Sequence, residues 1–156
     1  MSGRQFRVFV VEDHAATARG LKIFLELAGY SVEVAADKKS ALALAEQMHF
    51  DVLVCDLSLP DGNGWELMET LRKTKPIRGI VFSAFDEPAH VARSKAAGFD
   101  EHVVKGTTPE TLLAAIDRIA RFELPATSSE GAPASAPPTI PTKIGGRSKL
   151  KLAQTP

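Results

Sequence analysis

Five short apolar runs are spaced through the first 124 residues, and a stretch of helical periodicity follows each one. The runs lie at 6–12, 31–35, 51–56, 79–83 and 101–105. Most of them, such as Val8-Phe9-Val10-Val11 and Val52-Leu53-Val54-Cys55, are nearly continuous in apolar character, as strands buried on both faces are. The run Ser31-Val32-Glu33-Val34-Ala35 alternates instead, which suits a sheet edge. Between them the spacing predicts helices over 14–28, 38–49, 64–74, 87–97 and 109–122. Their apolar stripes contain Ala18, Leu21, Leu25 and Ala28; Ala41, Leu44, Ala45 and Met48; Trp65, Met68 and Leu71; and Leu112, Ile116, Ile119 and Ala120. End signals agree with these spans. Asp37 and Asp86 are expected as N-caps, Pro88 falls in a first turn, Gly29 and Gly98 suit helix ends, and Thr107-x-x-Glu110 has capping-box spacing.

Strands that alternate with helices in this way give an α/β domain, a doubly wound five-stranded parallel sheet with five helices. Such sheets bind ligands beyond the carboxyl ends of their strands. The polar residues of this chain gather at those ends. Glu12 and Asp13 follow the first run, Asp56 the third, Ser83 closes the fourth and Lys105 the fifth. Three convergent carboxylates repel one another and call for a cation. The set reads as a metal-assisted site with a carboxylate that can be phosphorylated. Taken singly, each residue has a plainer role: Asp13 as a cap for the helix at His14, Lys105 as a solvated strand end, Ser83 as a turn cap. Their joint placement, each after its own strand, decides for the site.

Composition narrows the class. At 156 residues, 44% apolar and 24% charged, the chain reads as a soluble protein with one domain of ordinary size. No apolar run approaches the ~20 residues of a membrane span, and the N-terminus lacks the apolar stretch of a signal peptide, so a cytoplasmic location is expected and no membrane partner. One cysteine, Cys55, excludes an internal disulfide and a multi-cysteine zinc site, and it reads as core. His14, His49 and His90 show no ligand spacing. Residues 1–124 carry a charge balance of −3 and residues 125–156 one of +3, too weak for a claim of nucleic-acid binding. The composition breaks near Leu124. Residues 125–156, rich in Pro, Ala and Ser and weakly basic, are expected to form a flexible tail beyond a domain at 1–124.

The acidic pair Glu12-Asp13, Asp56, the loop Leu57-Ser58-Leu59-Pro60-Asp61-Gly62-Asn63-Gly64, Ser83-Ala84 and Lys105 together resemble the receiver domain of two-component response regulators over roughly residues 5–122. The likeness is to the single-domain, chemotaxis-regulator type. It implies a flavodoxin-like strand order, 2-1-3-4-5. It implies Asp56 as phosphoacceptor and Mg²⁺ as cofactor. Asp13, Asp56 and the Ser58 carbonyl would be direct ligands, and Glu12 would act through a bound water. Lys105 and Ser83 would hold phosphoryl oxygens. Ser83 and His102 would form the switch, His102 standing where the family usually has Tyr or Phe. Gly106 stands where the family usually has a proline in a cis bond; a cis bond to any other residue costs about 2.5–4 kcal/mol, so a looser Lys105–Gly106 loop is expected.

The function implied is signalling, not enzymatic turnover. Asp56 would accept a phosphoryl group from a histidine kinase or a histidine phosphotransfer protein. No DNA-binding domain is recognised after residue 124, so output is expected through an unidentified downstream protein or by onward phosphotransfer. The start at Met1 disfavours an internal piece of a hybrid kinase. The alternative is a binding module of the same fold that works without phosphorylation. An aspartyl-phosphate phosphatase ranks below both, because the second acid such enzymes carry two residues after the nucleophile is Ser58 here.

Overall fold

The structure, a computed structural model, describes residues 5–128, with side chains through Arg121. Five strands form one parallel sheet: β1 (Arg7–Val11), β2 (Ser31–Ala35), β3 (Val52–Cys55), β6 (Arg78–Ser83) and β7 (Glu101–Val104). Their order across the sheet is β2-β1-β3-β6-β7, so counting these five alone gives the expected 2-1-3-4-5. Two further strands, β4 (Ser58–Leu59) and β5 (Gly62–Asn63), make a small antiparallel hairpin directly after Asp56. Residues 57–63 were expected as a loop; two-residue strands leave no periodicity to find.

Among the described residues, four helices connect the strands, α1 (Ala15–Leu27), α2 (Lys38–Gln47), α3 (Gly64–Arg72) and α4 (Pro88–Ala97), and a fifth, α5 (Pro109–Ser128), follows the last strand. Alternate strand residues face opposite ways. Phe9, Val11, Leu53, Cys55 and Val81 pack with Ala41, Ala45, Leu67, Met68, Leu71 and Ala97 in one buried cluster, which seats α2, α3 and α4 on that side. Val8, Val10, Val52, Val54 and Ile80 are buried on the other side. Leu21 and Leu25 of α1 and Leu112 and Ile116 of α5 are buried as well. The Tyr30 hydroxyl donates to Asp117 and ties the turn after α1 to α5. Full burial of each large aliphatic or aromatic side chain contributes roughly 1.5–3 kcal/mol, so this two-sided core dominates the fold.

Helix ends refine the expectations. Asp37 caps α2, accepting from Ser40 N–H. Gly29 has φ 104°, and the amides of Gly29 and Tyr30 close onto the carbonyls of Glu26 and Leu25. That is the glycine-terminated helix end, and it turns Ala28 out to solvent, so Ala28 does not join the core stripe. Asp86 does not cap α4: the capping position is Glu87, with no side-chain bond, and Pro88 opens the helix. Nor does Thr107 open a capping box. Helix α5 begins at Pro109, one residue too late, and the Thr107 hydroxyl donates to the Val104 carbonyl. Helix α5 runs to Ser128, past the expected end at 122. The chain divides into a first compact unit ending at Ile119 and a second beginning at Ala120. Apart from residues 125–128, the proposed tail lies outside the described residues.

Candidate functional site

The third strand delivers Asp56. Its N–H donates to the Val11 carbonyl at 3.0 Å, which locks the residue beside the end of β1. The chain then needs room to turn back: a Cβ on Gly64 would sit 2.6 Å from the Asp56 carbonyl oxygen and 3.1 Å from Cys55 Sγ. Only glycine permits that approach, and Gly64 N–H closes the hairpin by donating to the Leu57 carbonyl at 3.0 Å.

Around Asp56 the structure gathers the acidic residues singled out by sequence. Carboxylate oxygens of Glu12, Asp13 and Asp56 lie within 4.8 Å of one another. Glu12 and Asp56 are buried, at 2% and 7% exposure, while Asp13 is exposed. Asp13 is not used as a helix cap. That role falls to His14, whose Nδ1 accepts from Thr17 N–H, and His14 N–H in turn donates to Glu12 Oε2 at 3.0 Å. This cap was not legible in sequence, where the aspartate is the more obvious candidate.

Lys105 reaches into the cluster from the end of β7. Its Nζ donates to Asp56 Oδ2 at 2.9 Å and lies 2.7 Å from Glu12 Oε1. The second contact is ionic in distance but poorly aligned for a hydrogen bond. Partial burial acts to lower the Lys105 pKa; the hydrogen bond to Asp56 and the close negative charges of Asp56 and Glu12 outweigh it and hold the pKa above the ordinary lysine value. Asp56 Oδ1 accepts from Ser58 N–H at 3.2 Å. Cys55, fully buried beneath these carboxylates, has its thiol pKa pushed far up, first by burial and then by the charges of Asp56 and Glu12, so it is an inert core residue.

Gly106 adopts φ 97°, a conformation closed to proline, whose ring holds φ near −65°. Residues 104–107 form a turn in which Thr107 N–H and hydroxyl both meet the Val104 carbonyl, at 3.4 and 2.8 Å. Glycine at this position thus makes a turn that proline could not. Lys105 N–H donates to the Ser83 carbonyl at 2.8 Å and keeps the side chain aimed at Asp56.

Ser83 and His102 are placed differently from the carboxylates. Ser83 is fully buried, and its hydroxyl accepts from Phe85 N–H at 3.2 Å instead of bonding to Asp56 or Lys105. His102 Nε2 lies 2.6 Å from the Phe85 carbonyl. A carbonyl only accepts, so Nε2 carries the proton. Both residues therefore grip the main chain of Phe85, Ser83 at its N–H and His102 at its carbonyl, in the loop between β6 and α4. The Phe85 ring stacks on His90 at 5.2 Å, and His90 stacks on Trp65 at 5.7 Å. Sequence reading assigned Trp65 to packing; it is half-buried and also donates its indole N–H to Ser94 Oγ at 3.0 Å.

The donor set fits a hard divalent cation. Three carboxylates gathered within 4.8 Å of one another, one of them exposed, offer the all-oxygen donor set that Mg²⁺ takes. The acidic pocket thus lies at the strand ends of a doubly wound parallel sheet, with Lys105 bonded to Asp56. Residues 8–117 match the response regulator receiver domain, and the chain belongs to that family. Among curated proteins it is 30% identical to a probable transcriptional regulator, ycf27, of Porphyridium aerugineum, over 83% of this chain and 54% of that protein. It is 31% identical to the transcriptional regulatory protein TrcR of Mycobacterium tuberculosis, over 76% of this chain and 47% of that one. The chain thus spans about half the length of the curated relatives it matches. Among solved structures, a CheY-like receiver domain protein of Methanospirillum hungatei aligns with a TM-score of 0.72 at 31% identity, over 77% of this chain and 98% of that one. Chemotaxis protein CheY4 of Vibrio cholerae aligns with a TM-score of 0.71 at 31% identity, over 74% and 99%. Among the described residues, no helix is long and apolar enough to cross a membrane.

Proposed function

We propose that this receiver domain accepts a phosphoryl group on Asp56 from a histidine kinase or a histidine phosphotransfer protein, with Mg²⁺ bound by Asp13, Asp56 and the Ser58 carbonyl and by Glu12 through water. The observation that carries the reading is Asp56 itself. It is buried, close to two other carboxylates, and has Lys105 Nζ on one oxygen. In the transfer, a carboxylate oxygen of Asp56 forms a bond to phosphorus while the bond from phosphorus to the donor's imidazole nitrogen breaks. A bound Mg²⁺ would supply charge neutralisation to the phosphoryl oxygens. Lys105, already held between Glu12 and Asp56, provides a fixed positive charge for the same oxygens. Output would go to a partner protein or to onward phosphotransfer, from a chain acting in the cytoplasm.

The direct test is intact mass after incubation with acetyl phosphate, with Mg²⁺ or with a chelator. A gain of one phosphoryl group only when Mg²⁺ is present is the expected result. No gain, in protein shown separately to bind Mg²⁺ and offered several kinases as donors, would favour the module that signals without phosphate.

Ser83 and His102 are assigned to the switch because they hold one residue, Phe85, by the two peptide units on either side of it. When the Ser83 hydroxyl turns to a phosphoryl oxygen, it releases Phe85 N–H and only His102 still holds that residue. Replacing His102 with Phe removes the remaining donor and keeps a ring; replacing it with Gln keeps a donor. Trp65, the one tryptophan of the chain, reports through the Phe85–His90–Trp65 stack. Unphosphorylated His102→Phe is expected to show Trp65 emission moved part of the way toward that of phosphorylated wild type, with His102→Gln close to wild type. Emission identical in all three proteins would remove His102 from the switch.

A further inference from the structure

Asp61, at the tip of the hairpin that follows Asp56, reaches across to α2. Its Oδ1 accepts from Lys38 N–H at 2.7 Å and its Oδ2 from Lys39 N–H at 2.9 Å. These are two of the first amides of α2, which have no partner within the helix. Asp37 satisfies a third by accepting from Ser40 N–H. The free amides and the helix dipole both favour a carboxylate here, and these bonds hold the Asp61 pKa below its ordinary value. These two short main-chain bonds, to an element more than twenty residues away in sequence, fix the tip of β4–β5.

The other end of the hairpin is the site. Ser58 pairs with Asn63 in the ladder and donates its N–H to Asp56 Oδ1 at 3.2 Å. Its carbonyl is the main-chain ligand in the reading above. Leu57 and Leu59 are buried and anchor the root, whereas Ser58 and Pro60 are exposed. The first turn of α2 is therefore the hold on the tip of the segment that must present the Ser58 peptide, as the cap of α3 by Asn63 is on its return strand.

We propose that Asp61 is a positioning residue for the divalent cation. By binding the amino end of α2, it sets the hairpin so that the Ser58 peptide faces Asp56 in the geometry the ion requires. The inference rests on the reading of the Asp56 pocket as a Mg²⁺ site, and it adds a residue that touches neither the ion nor the phosphoryl group.

The hydrogen bond can be cut from either side. Asp61→Ala removes the acceptor. Lys38→Pro removes one donor, at the first helical position, where proline is well tolerated and where the preceding Asp37 already has the extended backbone (φ −152°, ψ 174°) that proline demands. Lys38→Ala keeps the N–H and controls for loss of the lysine side chain, which lies 3.5 Å from Glu66 Oε1. Mg²⁺ affinity of the full chain is measured by calorimetry, alongside the thermal midpoint without metal. Asp61→Ala is expected to raise the Mg²⁺ Kd about three- to tenfold, less than the roughly 10–100-fold seen for groups bonded directly to a metal ligand. Lys38→Pro should raise it by less, Lys38→Ala should not raise it, and the double variant should be no worse than Asp61→Ala, as two cuts of one linkage require. Labelling by acetyl phosphate in Asp61→Ala should return to the wild-type rate at saturating Mg²⁺, which a general loss of structure would not allow. If folded Asp61→Ala binds Mg²⁺ as tightly as wild type, the positioning role is refuted while the metal site stands. If wild type itself binds no Mg²⁺, the site reading falls and takes this inference with it.

Discussion

Asp56→Asn is expected to take up no phosphoryl group from acetyl phosphate under conditions that label the wild type, and to be at least as stable as the wild type when Mg²⁺ is absent. The first outcome follows from chemistry: a carboxamide does not form the acyl phosphate, and the neighbouring Glu12 and Asp13 lack the Lys105–Ser58 pairing that aims Asp56. The second depends on magnitudes. At an effective dielectric of about 20, two unit charges 4.8 Å apart, the largest separation in the cluster, repel by about 3.5 kcal/mol, and Asp56 faces two such neighbours. Its attraction to Lys105 at 2.9 Å comes to about 6 kcal/mol on the same scale. Neutralising Asp56 thus exchanges about 6 kcal/mol of attraction for about 7 of repulsion, and it also relieves the desolvation of a carboxylate that is 7% exposed. Lys105 keeps Glu12 as a partner, at 2.7 Å. Mg²⁺ reverses the comparison: at ten times its Kd it should stabilise the wild type by about 1.4 kcal/mol and the variant by less. Urea unfolding of both proteins, with Mg²⁺ and with chelator, checks this. A metal-free variant clearly weaker than wild type would mean that the lysine pair outweighs the repulsion.

How much of this was legible before the fold was known depends on the range of each interaction. Val8–Val11 and Val52–Cys55 announce buried strands because every residue in them is apolar, and the polar residue that ends such a run has to emerge at the sheet's rim. Glu12, Asp13 and Asp56 were legible for that reason, and the structure brings their oxygens together. The strand order was not carried by periodicity; only the resemblance supplied it. The β4–β5 hairpin stayed hidden because two-residue strands have no pattern. The contacts of Asp61 with Lys38 and Lys39, and of His102 with the Phe85 carbonyl, were hidden for another reason. Each joins a side chain to main-chain atoms, and main-chain atoms carry no residue identity for a sequence to display. Gly106 shows the converse. In sequence it reads only as a missing proline, and its φ of 97° gives it a further role as the residue that turn requires.

Lys105→Met is the complementary experiment, and the expected direction is opposite to that of Asp56→Asn. Methionine keeps much of the apolar stem but removes the positive charge, leaving the buried Glu12 and Asp56 carboxylates facing each other with no cation between them. Breaking a fully buried pair costs about 3–5 kcal/mol, and because the lysine side chain is itself 26% exposed the expected loss without Mg²⁺ is about 2–4 kcal/mol. The sign with pH is fixed by the raised lysine pKa: its stabilisation is complete below the ordinary lysine value and fades as pH rises through the raised one. Wild type should therefore lose stability along that alkaline limb, and the variant should lack this component. Added Mg²⁺ should narrow the gap between the two proteins, since a divalent cation restores charge to the same carboxylates. Labelling by acetyl phosphate should remain slow even then, by about 100-fold, because a fixed donor to the phosphoryl oxygens is gone. The two readouts separate the lysine's roles. Recovery of stability without recovery of rate places Lys105 in the transfer itself, whereas recovery of both would leave it only a counter-ion of the metal-free pocket.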